Sequence, residues 1–150
     1  MPNWIEGVLK IRGDREHLLD FLDKGLDAVE GGSPLDWKII ADCEDIYVHI
    51  KMAHIVGTRR GFFESTSDDI FSNDDGIYVM SLDAKFAWDV DVKALVALSK
   101  VTGVDFRFYG FERGMEFNRD VEIIQGELTR NQKIEFQDYA WECIDPKKGG

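Results

Sequence analysis

Three histidines, His17, His49 and His54, are the imidazoles available for metal binding or proton transfer. A metal needs ligands that converge, and these do not. His49 and His54 are five residues apart, so along a regular strand they face opposite sides, while His17 falls on the charged side of a predicted helix beside Arg15 and Glu16. Cys43 and Cys143 each stand without a neighbouring cysteine, so neither a disulfide scaffold nor a zinc ribbon is specified, and two buried or half-buried thiols are expected. The run Asp68-Asp69-Ile70-Phe71-Ser72-Asn73-Asp74-Asp75-Gly76 offers the oxygen ligands that calcium prefers. It lacks the alternating acids, central glycine and closing glutamate of an EF-hand loop. Gly31-Gly32 follows a predicted helix instead of opening one, so it makes no phosphate cradle, and Arg59-Arg60-Gly61 reads as a solvated turn. No serine sits in a nucleophile elbow and neither cysteine has a histidine nearby. No catalytic residue, metal or cofactor is therefore assigned. An enzyme built from scattered Asp and Glu in a sheet cleft, a small hydrolase or ligand-binding enzyme, is the alternative class, although nothing in the sequence selects two carboxylates.

What stands out is the distribution of charge. The chain of 150 residues carries 29 Asp and Glu against 18 Lys and Arg, a net charge of −11. Nucleic-acid binding draws its affinity from basic groups that displace counterions, and anionic membranes attract the same groups, so direct contact with either is disfavoured. Between Phe62 and Val92 the acids Glu64, Asp68, Asp69, Asp74, Asp75, Asp83, Asp89 and Asp91 are accompanied by one base, Lys85. Like charges held on a folded scaffold repel one another, so such a surface is expected to serve a purpose. The predicted partner-binding set is Glu64, Asp68, Asp69, Asp74, Asp75, Asp89 and Asp91, with Ile70 and Phe71 as apolar anchors. Alternatively, Ile70 and Phe71 fold back onto the core and the acids form a solvated rim. A second set, Glu112, Glu116, Asp120, Glu122 and Glu127, is interspersed with Arg107, Arg113 and Arg119 and reads as cross-strand pairing.

The elements that must position these residues follow from periodicity. Trp4 to Arg12 reads as a strand ending at Gly13. Asp14 is the expected cap of a helix whose face carries Leu18, Leu22, Leu26 and Val29, with Leu19 beside them, and which stops at Gly31-Gly32-Ser33-Pro34. After a connecting segment holding Trp37, Ile46, Val48, Ile50 and Met52 line one face of a strand, and the stretch from Ala53 to Thr66 pairs back through Gly57 and Gly61. Ser65 to Gly76 reads as a long loop. A strand from Ile77 to about Trp88 places Tyr78, Met80, Leu82, Ala84, Phe86 and Trp88 on one side. Asp89 or Asp91 caps a second helix with Val92, Leu95, Val96 and Ser99 on one face, ended by Gly103. Val104 to Phe108 and Phe117 to Ile123 form a hairpin about Glu112-Arg113-Gly114, and a last strand runs from Lys133 to Ile144. Asp145 to Gly150 is expected to fray. The prediction is one α+β domain over residues 1–150: a largely antiparallel sheet with two helices on one face, ferredoxin-like split βαβ with additional C-terminal strands.

Pro2-Asn3-Trp4 leading into a strand, Gly13 before the first helix, Ala87-Trp88 before the second, and Phe106 to Phe117 enclosing Glu112-Arg113-Gly114 resemble the YubB-type ferredoxin-like domain proteins of phages and plasmids. Ile5 and Gly7 stand where that family commonly has a Cys and an Asn, and Asp89-Val90-Asp91 replaces its Pro-rich turn. The resemblance implies a ferredoxin-like fold and a mobile-element origin, and it brings no catalytic residues. The function expected is non-enzymatic: capture of a basic site on a host or defence protein, by imitation of nucleic-acid phosphates. Self-assembly through exposed strand edges is a third possibility. No stretch approaches the roughly 18 apolar residues of a membrane span, and Met1 to Glu6 lacks the order of a secretory signal, so a cytoplasmic protein is expected.

Overall fold

The computed structural model describes residues 1–29, 32–33, 35–39 and 45–150, with 35–39 as backbone alone; Cys43 and Gly31 lie outside the described residues. The described elements are β1 (Trp4–Asp14), α1 (Arg15–Lys24), β2 (Leu26–Ala28), β3 (Leu35–Ile39), β4 (Ile46–Ile50), β5 (Ala53–Ile55), β6 (Gly61–Phe63), β7 (Thr66–Ile70), β8 (Ile77–Ala87), α2 (Val92–Thr102), β9 (Asp105–Glu112), β10 (Phe117–Ile124), β11 (Glu127–Glu135) and α3 (Tyr139–Glu142). Eight strands join in the order β11-β10-β9-β1-β8-β6-β5-β2, and a second sheet has the order β3-β4-β7. Every pairing within them is antiparallel. The described residues thus form an α+β fold of antiparallel sheets with three helices.

β1 lies at the centre of the larger sheet, paired with β8 from Trp4↔Ala87 to Asp14↔Ile77 and with β9 from Glu6↔Phe111 to Arg12↔Asp105. Its alternation buries Ile5, Leu9 and Ile11 and leaves Val8, Lys10 and Arg12 exposed. β8 alternates in the same way, burying Tyr78, Met80, Leu82, Ala84 and Phe86. Trp88 departs from that row. The strand stops at Ala87, and Trp88 takes a left-handed backbone (φ 71°) with its N–H on the Asn3 carbonyl at 2.7 Å, which leaves its indole 58% exposed.

The core joins both sheets to α1 and α2. Phe21 meets Phe106 edge-on at 5.6 Å and Phe63 at 6.3 Å, and Phe86 meets Phe108 at 5.3 Å. Each such ring contributes about 1.5–3 kcal/mol through burial. Ile46, Val48, Ile50 and Ile70 of the smaller sheet belong to the same cluster. Met52, expected beside them, lies past the end of β4 and is 36% exposed.

Local chemistry sets the helix ends. Asp14 Oδ1 accepts the His17 N–H at 2.9 Å, and α1 buries Leu18, Phe21 and Leu22. It stops at Gly25, six residues before the predicted Gly31 stop. The Gly25 N–H closes on the Phe21 carbonyl, and a side chain there would lie 2.6 Å from the Phe21 ring. Leu26 therefore opens β2 opposite Ile55, and Val29 is exposed, so neither belongs to the helical face expected of them. The segment around Trp37, expected to be a connection, is β3. α2 is capped by Asp91, whose Oδ1 accepts the Ala94 N–H at 3.2 Å. It ends at Gly103, where φ is 82°, a conformation that glycine takes at least cost. β5 and β6 pair back as expected, through a connection holding Gly57 and with Gly61 opening β6.

The C-terminal part differs from the sequence reading. Pairing with β10 covers Glu127–Glu135, earlier than predicted, and the chain then turns into α3. Tyr139 and Cys143 stand one helical turn apart and so share a side. The Tyr139 hydroxyl donates to Asn118 Oδ1 at 2.9 Å, and Asn118 Nδ2 donates to the buried Cys143 Sγ at 3.4 Å. Asp145–Gly150, expected to fray, folds back so that the Gly150 N–H meets the Trp4 carbonyl at 2.8 Å.

Candidate protein-binding surface

Ser65–Gly76 is not one loop. Thr66–Ile70 forms β7, antiparallel to β4 with Val48↔Asp68, Tyr47↔Asp69 and Ile46↔Ile70 in register. Side chains fasten it: His49 Nδ1 lies 2.5 Å from Ser67 Oγ, and the Met52 N–H donates to Ser65 Oγ at 3.0 Å. Opposite Ile46, Ile70 is 2% exposed, so it belongs to the core and not to a contact anchor. Phe71 is 66% exposed. The chain then reverses through a turn built by Asn73, whose Oδ1 accepts the N–H groups of Asp75 and Ile77 at 2.9 Å each. Gly76 supplies the positive φ of 74°. Asn73 thus forms the turn and leaves the Asp74 and Asp75 carboxylates in solvent.

The acids of the predicted set divide into two groups. Asp68, Asp69, Asp74 and Asp75 are exposed, and among the described residues no Lys, Arg or His stands within 4.0 Å of them. Asp68 and Asp69 border a shallow groove of about 440 Å³ with Phe71, Asn73, Val79 and Ser81. The other three acids serve the scaffold. Glu64 pairs with Lys85 at 3.3 Å, Asp89 with Arg119 at 2.7 Å, and Asp91 caps α2 while its Oδ2 accepts the Arg59 N–H at 3.1 Å. Sequence reasoning missed Val79, 49% exposed on the outward side of β8. The signal was there: Val79 is out of phase with Tyr78 and Met80, an apolar residue on the polar side of an alternating strand.

Of the second acidic set, Asp120 and Glu122 pair across strands as expected, whereas among the described residues no ion pair holds Glu112, Glu116 or Glu127. Asp120, 7% exposed, sits between the Arg107 guanidinium and Arg130 Nη1, the latter at 3.1 Å. Desolvation pushes its carboxyl up, but the hydrogen bonds from Arg107 and Arg130, with their charges, outweigh this and hold the pKa below its ordinary value. Glu122 lies 3.9 Å from Arg107 and accepts the Thr129 hydroxyl at 2.8 Å. Arg119 turns to Asp89, and Glu112 is fully buried, its two oxygens accepting the Gly114 and Met115 N–H groups at 2.6 and 2.9 Å.

The histidines occupy separate places: His17 near Asp14 on α1, His49 on β4 in one sheet, and His54 on β5 in the other, its Nε2 2.9 Å from the Thr58 carbonyl. A cleft of about 730 Å³ lies where β1 and α2 end and α1 begins, and it contains Arg12, Asp14, His17, Lys100 and Asp105. Its carboxylates are engaged, Asp14 as the α1 cap and Asp105 with Arg12 at 2.8 Å and the Gln125 N–H at 2.9 Å. This is scaffold chemistry more than a poised acid–base pair. No helix of the described residues is long and apolar enough to cross a membrane. No family model matches the sequence, and no curated protein or solved structure matches it at a significant level.

Proposed function

We propose that the protein is a non-enzymatic cytoplasmic binding module that captures a basic site on a protein partner through Asp68, Asp69, Asp74 and Asp75, with Phe71 as its apolar contact. The observation that carries this reading is the contrast in pairing: these four carboxylates stand without a cation among the described residues, while Glu64 and Asp89 have one each and Asp120 has two. Unneutralised carboxylates on a strand and the turn beyond it steer a basic partner from a distance and make its binding sensitive to salt. A row of such charges imitates nucleic-acid phosphates, and that favours a host nucleic-acid enzyme or defence complex as the partner to be inhibited. A phage or plasmid accessory role, from the resemblance to YubB-type proteins, is part of the same proposal. The order β9-β1-β8-β6, with α1 following β1 and α2 joining β8 to β9, supports a ferredoxin-like split βαβ centre with added strands.

The test is charge reversal. With Asp68, Asp69, Asp74 and Asp75 replaced by Lys, capture of a partner from a bacterial lysate at low salt should be lost while the circular dichroism spectrum is unchanged. Undiminished capture by the folded variant refutes the assignment.

A further inference from the structure

β7 is the outer strand of its sheet. It pairs with β4 along one edge; along the other no ladder forms among the described residues, and the chain just past its end is tied to β8 by the bridge Ser72↔Tyr78. Beside it runs the groove whose apolar residues, Phe71 and Val79, are 66% and 49% exposed. Successive side chains of a strand point to opposite faces, so Asp68 and Asp69 put one carboxylate on each side of β7. A backbone donor of this strand, the Asp69 N–H, is met by Asp68 Oδ1 at 2.9 Å, a local bond that an incoming carbonyl can replace. A helix or a compact basic knob would reach the carboxylate of one face. An extended chain reaches both, and also finds backbone groups and an apolar floor. Neither outer strand of the larger sheet offers an equivalent among the described residues: β11 carries Arg130 and Lys133 and a bulge interrupts its pairing at Glu122/Ile123, and β2 spans only Leu26–Ala28.

We infer that the basic site captured by this protein is an extended segment that adds to β7 as a further strand, its Lys or Arg side chains meeting Asp68 and Asp69 and its apolar residues resting on Phe71 and Val79. This rests on the proposed capture of a basic partner and specifies how that capture occurs.

The probe is a short peptide in which pairs of lysines alternate with pairs of valines, so that an extended chain carries both residue types on each face, titrated into the isotope-labelled full chain and followed by amide chemical shifts and hydrogen exchange. A second peptide has the same sequence with every amide N-methylated, which keeps the charge and removes the donors. The expected result is perturbation confined to residues 66–71 and 77–81, slowed exchange of β7 amides, and about ten-fold or more weaker binding of the methylated peptide. Equal binding of the two peptides, abolished by Asp68→Asn with Asp69→Asn, overturns strand addition and leaves the carboxylate surface standing. Binding that ignores the two Asn substitutions overturns the surface itself. Absence of any β7 response to the first peptide also overturns strand addition.

Discussion

The acids of β7 and the following turn are the same residue types as those of the β9–β10–β11 face, in opposite circumstances. Asp120 is 7% exposed between two arginines, whereas Asp68, Asp69, Asp74 and Asp75 face water with no cation within 4.0 Å among the described residues. Register makes the difference. β10 runs between two strands that each carry a base toward it, with Tyr109 and Gln132 opposite Asp120 and the guanidiniums of Arg107 and Arg130 reaching in from the neighbouring positions. Among the described residues β7 forms a ladder with β4 alone, which places Val48 and Tyr47 opposite its two aspartates. A carboxylate whose strand neighbours bring arginine becomes scaffold, and one at an edge stays available to a partner.

The largest effect should come from breaking the neutralised side. Asp120→Ala leaves two arginines facing an empty site, and urea unfolding should show a loss of about 2–3 kcal/mol. It should fall short of a fully buried ion pair because the Arg107 and Arg130 side chains are 37% and 48% exposed, so water relieves part of the cost. Acidity breaks the same interaction gradually. The Asp120 pKa is lower in the folded chain than in the unfolded one, so at low pH the unfolded state takes up this proton first and gains stability relative to the folded state. The contribution is complete above the ordinary carboxylate range near pH 4 and is lost as pH falls through the folded pKa. The stability gap between the native chain and Asp120→Asn should therefore be flat above about pH 5 and close below about pH 4. The smallest effect belongs to the free side. Replacing Asp68, Asp69, Asp74 and Asp75 together by Asn should change stability by no more than about 0.5 kcal/mol, and toward greater stability, since like charges are removed. A loss above about 2 kcal/mol would place these acids in the scaffold and erase the contrast.

Much of the fold was legible because it rests on local rules. The caps Asp14 and Asp91, the Gly103 stop and the alternation of β1, β8 and β9 follow from side chains within a few positions of one another. The errors fall where a distant neighbour decides. Thr66 to Asp69 has no apolar alternation, so it reads as a loop, yet backbone pairing with β4 makes it a strand. β11 is exposed along nearly its whole length, so no period marked its start. The α1 periodicity continued through Leu26 and Val29, but pairing of Leu26 with Ile55 on the distant β5 takes the chain out of the helix after Gly25. Of the candidate site, composition revealed the acid-rich segment. It did not reveal that Asp89 is claimed by Arg119, thirty residues away, or that Asp91 is claimed by the Arg59 backbone.

Carboxylate footprinting tests the division directly: brief carbodiimide coupling to an amine, with the modified positions read by mass spectrometry. Asp68, Asp69, Asp74 and Asp75 should be modified first, and Asp120 and Glu112 should resist until the chain is unfolded. Protection of the four aspartates in the native protein, or modification of Asp120 as fast as theirs, would contradict the account.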